Sequence, residues 1–143
     1  MSHNDLRLEC HSELMKLAWK IIRKSRQNLS ELGFTWGQYN IMKNIMPGES
    51  ITLSELSSRA LKENSNVTPL VDYLEEKGII MRANDPQDRR ITRVRLTENG
   101  KNIREMAISS HQEFIKEVFK YVPYEDMERF LEIIKVFQTY IMP

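Results

Sequence analysis

Two helix-start signatures stand close together in the first half of the chain and restrict its folding more than any other feature. The segment Phe34-Thr35-Trp36-Gly37-Gln38-Tyr39 sets a threonine hydroxyl three residues before a glutamine amide. In that arrangement each side chain satisfies one free backbone N–H of the other residue at a helix start. Phe34 and Tyr39 flank it at the spacing of a hydrophobic staple. Ile51-Thr52-Leu53-Ser54-Glu55-Leu56 repeats the pattern, with Thr52 as cap, Glu55 as its return partner and Ile51 against Leu56. The first helix must therefore stop before the second begins, and Pro47-Gly48 supplies the break. Tyr39, Met42, Ile45 and Met46 are its expected buried stripe. Leu53, Leu56 and Ala60 are that of the second, which is expected to end near Leu61.

A third helix is expected from about Ser65, with Val67, Leu70, Val71 and Leu74 on one face and Gly78 just past its end. Pro69 lies inside it. With Asn66 as cap, Pro69 falls in the first turn, where its nitrogen needs no hydrogen; with Ser65 as cap, one backbone bond is lost. A late start or a distorted first turn follows. The period then changes. Ile79 to Ala83 is a short apolar run and Thr92-Arg93-Val94-Arg95-Leu96 alternates strictly, so these read as antiparallel strands joined by a polar loop. Thr97 can cap a long helix from Glu98 to about Tyr121, with Ile103, Met106, Ala107, Phe114 and Val118 inward. Pro123 breaks it, and a last helix carries Met127, Phe130, Leu131, Ile134, Phe137 and Ile141. Upstream, Leu14, Leu17, Ala18, Ile21, Ile22, Leu29 and Leu32 follow helical spacing, with Lys16, Lys20, Arg23 and Lys24 opposite them as a solvated face.

Composition narrows the function classes. The 143 residues carry 21 basic and 20 acidic side chains, a net charge of +1. A uniformly basic coat and an acidic solvating tail are both excluded, so any electrostatic function depends on how charge is distributed. Glu113, Glu117, Glu125, Asp126, Glu128 and Glu132 outnumber the bases of their segment, while arginines gather around the hairpin. No apolar run approaches the roughly 18 residues of a membrane span. Cys10 is the single cysteine, so neither an internal disulfide nor a cysteine-rich zinc site is possible. Phosphate-binding loops, dinucleotide fingerprints, nucleophile elbows and paired-histidine zinc motifs are absent. The expectation is a cytoplasmic, non-enzymatic protein without metal or cofactor.

Two short helices, a recognition-length helix and a hairpin with an arginine-rich tip describe a winged helix-turn-helix. Residues 35–104 resemble the MarR family of bacterial transcriptional regulators. The resemblance rests on Thr52-Leu53-Ser54-Glu55-Leu56, on Val67-Thr68-Pro69-Leu70-Val71-Asp72-Tyr73-Leu74-Glu75-Glu76-Lys77-Gly78, and most specifically on Asp85-Pro86-Gln87-Asp88-Arg89-Arg90 followed by Val94-Arg95-Leu96-Thr97-Glu98-Asn99-Gly100. The helices before and after this core also match the family layout. The fold expected is mainly α with a small β-hairpin wing. Residues 1–34 form an N-terminal dimerisation helix, 35–97 the winged DNA-binding lobe, and 98–143 the C-terminal dimerisation helices, all in one structural unit.

Residue chemistry and resemblance together nominate a DNA-contacting set. Ser65, Asn66, Thr68 and Pro69 occupy the N-terminal end of the recognition helix, where asparagine can pair with adenine and threonine or proline can pack on a thymine methyl. That helix has no Lys or Arg between Lys62 and Lys77, so phosphate affinity must come from elsewhere. Arg82, Arg89, Arg90, Arg93 and Arg95 face only Asp85 and Asp88 in the hairpin, an expected local excess of three positive charges. The resemblance implies Arg90 as a minor-groove reader, Asp88 as the aspartate that orients it and Arg89 as a phosphate contact. Ser54, Tyr73 and Arg93 complete the set. It also implies a homodimer on a pseudo-palindromic operator in double-stranded DNA, most simply a repressor. A small aromatic or phenolic effector would sit near Trp19, Trp36, Tyr39, Met42 and Met46, residues that would otherwise be ordinary core. Two other readings stand beside this one: a winged-helix protein-interaction module that never touches DNA, and an oxidant sensor acting through Cys10.

Overall fold

Both threonine caps form as their spacing predicts. In the computed structural model, which describes residues 3–60 and 64–141 and the side chains of all of these but 3, 4, 64 and 65, helix α2 (Trp36–Lys43) opens with the Gln38 N–H donating to Thr35 Oγ1 at 3.2 Å. The Thr35 N–H returns to Gln38 Oε1 at 2.9 Å. Helix α3 (Leu53–Arg59) opens in the same way on Thr52 and Glu55. Ahead of these lies α1 (His3–Glu31), which starts well before the expected stripe. After them come α4 (Asn64–Glu76), the strands β2 (Ile80–Asn84) and β3 (Thr92–Leu96), α5 (Glu98–Phe119) and α6 (Tyr124–Ile141).

The hairpin register pairs Ile80 with Leu96 and Arg82 with Val94. A two-residue strand, β1 (Ile51–Thr52), adds to the other side of β3 in antiparallel register, Ile51 opposite Val94, so the sheet order is β1-β3-β2. Sequence periodicity read Ile51-Thr52 only as staple and cap. Two residues are too few to show alternation, and the pairing is with a segment far along the chain. Thr52 serves both roles, as a strand residue and as the α3 cap.

Several expectations about helix ends and faces need correction. Helix α4 begins at Asn64, so Pro69 lies inside it and not in the first turn. Its nitrogen carries no hydrogen, and one rung of the helical ladder is missing there. Helix α2 ends at Lys43, with Asn44 as C-cap, and not at Pro47. Past that end the helical period no longer applies: Ile45 turns into the core while Met46 stays exposed, and Ile41 joins the buried stripe. On α5 the inward seam is Gly100, Ala107 and His111, which leaves Met106 exposed. On α1 only the C-terminal end reaches the core, where Leu29 is fully buried; Leu14, Leu17 and Ile22 are exposed.

The core is built where α2, α3 and α4 pack on the sheet. Tyr39, Ile41, Met42, Ile45, Leu56, Val67, Val71, Leu74, Ile80 and Val94 are among its largest buried members, with Leu29 of α1 and Ile51 of β1. Gly78 ends α4 with a φ of 72°, and the N–H groups of Gly78 and Ile79 close back on the carbonyls of Glu75 and Leu74. That left-handed turn aims the chain from α4 into β2. Gly100 lets α5 approach the same corner, since a Cβ there would stand 1.8 Å from the Ile79 carbonyl oxygen. No residue of α6 is buried. The accessible surface is 10847 Å², against about 7,700 Å² for a compact monomer of this mass. Among the described residues no helix is long and apolar enough to cross a membrane, and no group of three or more acidic, histidine or cysteine side chains is placed to hold a metal.

Candidate nucleic-acid interface

The tip of the wing is organised by two aspartates. Asp85 Oδ1 accepts the N–H groups of Gln87 at 2.8 Å and Asp88 at 3.1 Å, while its Oδ2 takes the Arg93 Nε at 2.6 Å. Pro86 between them has no N–H to compete and holds its φ near the turn value, so the D-P-x-D spacing closes the loop by itself. Hydrogen bonding from Arg93, then from the Gln87 N–H, holds the Asp85 carboxyl below its ordinary pKa. Asp88 accepts three bonds from one residue: the Arg90 N–H at 3.0 Å, its Nε at 3.1 Å and its Nη2 at 3.1 Å. These bonds hold the Asp88 pKa down and the Arg90 pKa up. The Arg90 side chain is nonetheless 89% exposed. It is a cation presented to solvent in a fixed orientation, with much of its side-chain entropy already lost.

The remaining arginines divide into two groups. Arg93 is half-buried and structural, bonded to Asp85 and donating to the Ser50 carbonyl at 3.1 Å. Arg82 does not face only the hairpin aspartates, contrary to expectation: its guanidinium pairs with Asp72 and Glu75 of α4. Counting those acids, five arginines meet four carboxylates, and the excess of positive charge around the wing shrinks from three to one. Among the described residues Arg89 and Arg95 are in no ion pair, and both are exposed. Strand alternation carries the missed signal, because it puts Arg82 on the face of Ile80, toward α4.

On α4 the exposed residues Asn66, Thr68 and Pro69 lie at the N-terminal half, away from buried Val67 and Val71. The Ser65 side chain falls outside the described residues. Ser54 is exposed on the first turn of α3. Tyr73 has a different placement: its hydroxyl donates to the Gly33 carbonyl at 3.1 Å and the Lys77 ammonium lies over its ring, so it braces α4 against the α1–α2 turn.

The aromatic and methionine candidates do not gather around one cavity. Tyr39 and Met42 are core residues. Trp36 is half-exposed and lines an open cleft of about 730 Å³ with Arg26, Phe34, Gln38 and Tyr73. Trp19 lies apart on α1, in a shallow groove with Met15, Lys16, Lys20 and Arg23. Met46 is exposed and touches the Arg104 guanidinium through its sulfur. Cys10 is exposed on α1. His111, which sequence reasoning passed over, joins α1, α2 and α5. It is 5% exposed, contacts Asn28 Oδ1 at 3.1 Å and Ser25 Oγ at 3.4 Å, and packs against the rings of Tyr39, Trp36 and Phe114. Burial, and then the positive charge of Lys43, lower its pKa below 6.5. Its place four residues after Ala107 was the available clue.

This arrangement of helices, sheet and wing has known counterparts. The model of the MarR family matches residues 34–92. The chain is 28% identical over 120 residues to the HTH-type transcriptional regulator SarZ of Staphylococcus epidermidis, covering 84% of this chain and 80% of that protein. Over residues 34–92, the winged lobe, the chain is similar to the MarR family. The relatives SarZ and PrsX, the latter from Escherichia coli, are HTH-type transcriptional regulators. The fold of the chain is similar to that of the YusO protein from Bacillus subtilis, with a TM-score of 0.80 at 23% identity over 98% of this chain and 99% of the other. It is also similar to a mutant MarR from E. coli crystallised with operator DNA, with a TM-score of 0.75 at 22% identity over the whole of both chains.

Proposed function

We propose that this chain is a MarR-family regulator that binds double-stranded DNA in a sequence-specific way, acting as a homodimeric repressor on a pseudo-palindromic operator. Residues 35–97 form the DNA-binding lobe, and residues 1–34 and 98–143 the dimer-forming helices. Helix α4 enters the major groove with Asn66, Thr68 and Pro69 toward the bases. Arg90, steadied by Asp88, enters the adjacent minor groove, and Arg89 and Ser54 take phosphates. Arg93 and Tyr73 act indirectly, by holding the wing and α4 in place. The observation that carries this reading is the Asp88–Arg90 pair, an outward arginine fixed by three hydrogen bonds beside a helix whose exposed end is polar and uncharged.

The homodimer is supported by the unburied apolar face of α6, where Leu131, Ile134, Phe137 and Ile141 are all exposed, and by the excess of accessible surface noted above. The cleft beside Trp36 is the site assigned to a small aromatic or phenolic effector that lowers DNA affinity by favouring another spacing of the lobes. Selection of bound fragments from a genomic library, followed by titration of the selected duplex with Arg90→Ala, tests the reading. Loss of one groove-reading arginine should cost about 1–3 kcal/mol and relax sequence preference beneath the wing. Unchanged affinity in Arg90→Ala would remove the wing assignment.

A further inference from the structure

Among the described residues the hydrogen bonds and ion pairs that side chains make between the wing and α4 gather at one point, beside the apolar packing of Ile80 on that helix. Arg82 on β2 turns its guanidinium onto two α4 carboxylates that stand about one helical turn apart: Nη2 is 2.7 Å from Asp72 Oδ1 and 3.0 Å from Glu75 Oε1, and Nε is 3.3 Å from Glu75 Oε2. The Arg82 backbone N–H donates to that same Glu75 oxygen at 3.0 Å. Strand and helix are therefore joined through main chain and side chain together. Farther out, the ion pairs and side-chain bonds of the wing close on the wing itself or on the Ser50 carbonyl.

A planar guanidinium shared between two carboxylates sets an angle as well as a distance, which a lysine ammonium does not. Two contact surfaces held at a fixed angle reinforce each other, because binding of one places the other at high effective concentration. We propose that Arg82, with Asp72 and Glu75, is a lock that fixes the wing relative to α4, so that Arg90 and the recognition helix read their two grooves as one unit. Arg82 is then a positioning residue and not a phosphate contact. The inference rests on the DNA-binding reading above and adds to it the source of coupling between the two grooves.

The test uses the full chain and a duplex that the wild type selects from a random library, with affinity read by fluorescence anisotropy at several salt concentrations. Arg82→Lys keeps the charge and loses the fork, and is expected to bind about tenfold more weakly with the salt slope of the wild type. Arg90→Ala is expected to cost several-fold less in the Arg82→Lys background than in the wild type, since an unlocked wing contributes less. The double substitution Asp72→Asn with Glu75→Gln leaves Arg82 in place and removes two negative charges. Electrostatics alone would tighten DNA binding; the lock predicts weakening, and this arm stands even where Arg82→Lys folds poorly. Wild-type affinity in Arg82→Lys, equal cost of Arg90→Ala in both backgrounds, or tighter binding by the Asp72/Glu75 double variant would each overturn the lock while leaving DNA binding intact. A wild-type chain that retains no duplex overturns the DNA-binding reading and the lock with it.

Discussion

Replacing Gly100 by alanine sets helix propensity against packing, and the structure decides which is larger. Gly100 is the third residue of α5, and in an isolated helix the exchange would stabilise by about 1 kcal/mol. In the folded chain the new Cβ would stand 1.8 Å from the Ile79 carbonyl oxygen and 2.7 Å from its carbon. Both are backbone atoms, so relief requires the start of α5 to move off the α4–β2 corner by more than an ångström. That corner is held by the Thr97 N–H on the Ile79 carbonyl at 3.0 Å and by the Thr97 hydroxyl on the Gly78 carbonyl at 2.6 Å. Losing these bonds costs about 1 kcal/mol each and overpacking adds about 1–3, so the net is roughly 2–4 kcal/mol of destabilisation. Urea unfolding followed by circular dichroism at one fixed protein concentration measures it, with a midpoint expected to fall by about 1–2 M. Gly37→Ala is the matched control. Its Cβ meets only the Leu70 side chain at 3.3 Å, so a change within about 1 kcal/mol of the wild type is expected. A Gly100→Ala midpoint equal to or above the wild type, at unchanged slope, would refute the argument.

Three further outcomes are expected. His111 has a lowered pKa in the fold, so the unfolded chain binds its proton first. The stability this group contributes is complete above its ordinary value of 6.5 and is lost as pH falls below it, at no more than about 1.4 kcal/mol per pH unit. His111→Gln should flatten the acid side of the urea midpoint–pH curve, and an unchanged acid limb would show that His111 is not its source. Phe137→Glu places a charge on the exposed apolar face of α6, and sedimentation should report a monomer in place of the proposed dimer; an unaltered dimer would move the interface elsewhere. Tyr73→Phe removes the bond to the Gly33 carbonyl and should lower stability by about 0.5–1.5 kcal/mol, read from the same urea curves.

What was legible in the sequence was local. Thr35 with Gln38, Thr52 with Glu55, the Gly78 turn, the Asp85–Pro86–Asp88 loop and the alternation of Thr92 to Leu96 each involve partners a few residues apart, whose geometry follows from backbone stereochemistry alone. The family motif worked for the same reason, because its most specific residues close one loop and one helix cap. Reading failed where a period was extended past an element that had ended, as at Met46, or where a stripe was placed one residue off, as at Met106.

Tertiary structure decided the rest. It paired β1 with a strand far along the chain, buried His111 among α1, α2 and α5 and drew Arg82 out of the hairpin charge count onto α4. It also brought the backbone of Ile79 within reach of Gly100. Periodicity hints at the face on which Arg82 and His111 lie, but nothing local announces their partners, since each pairing depends on how separate elements dock. The sequence by itself determined where the threonine-capped helices α2, α3 and α5 begin, and its family resemblance pointed to the arginine that an aspartate holds outward. Docking determined which charges remain free for a partner and how rigidly the wing is carried, because two ion-pairing groups find each other only after the elements bearing them have packed.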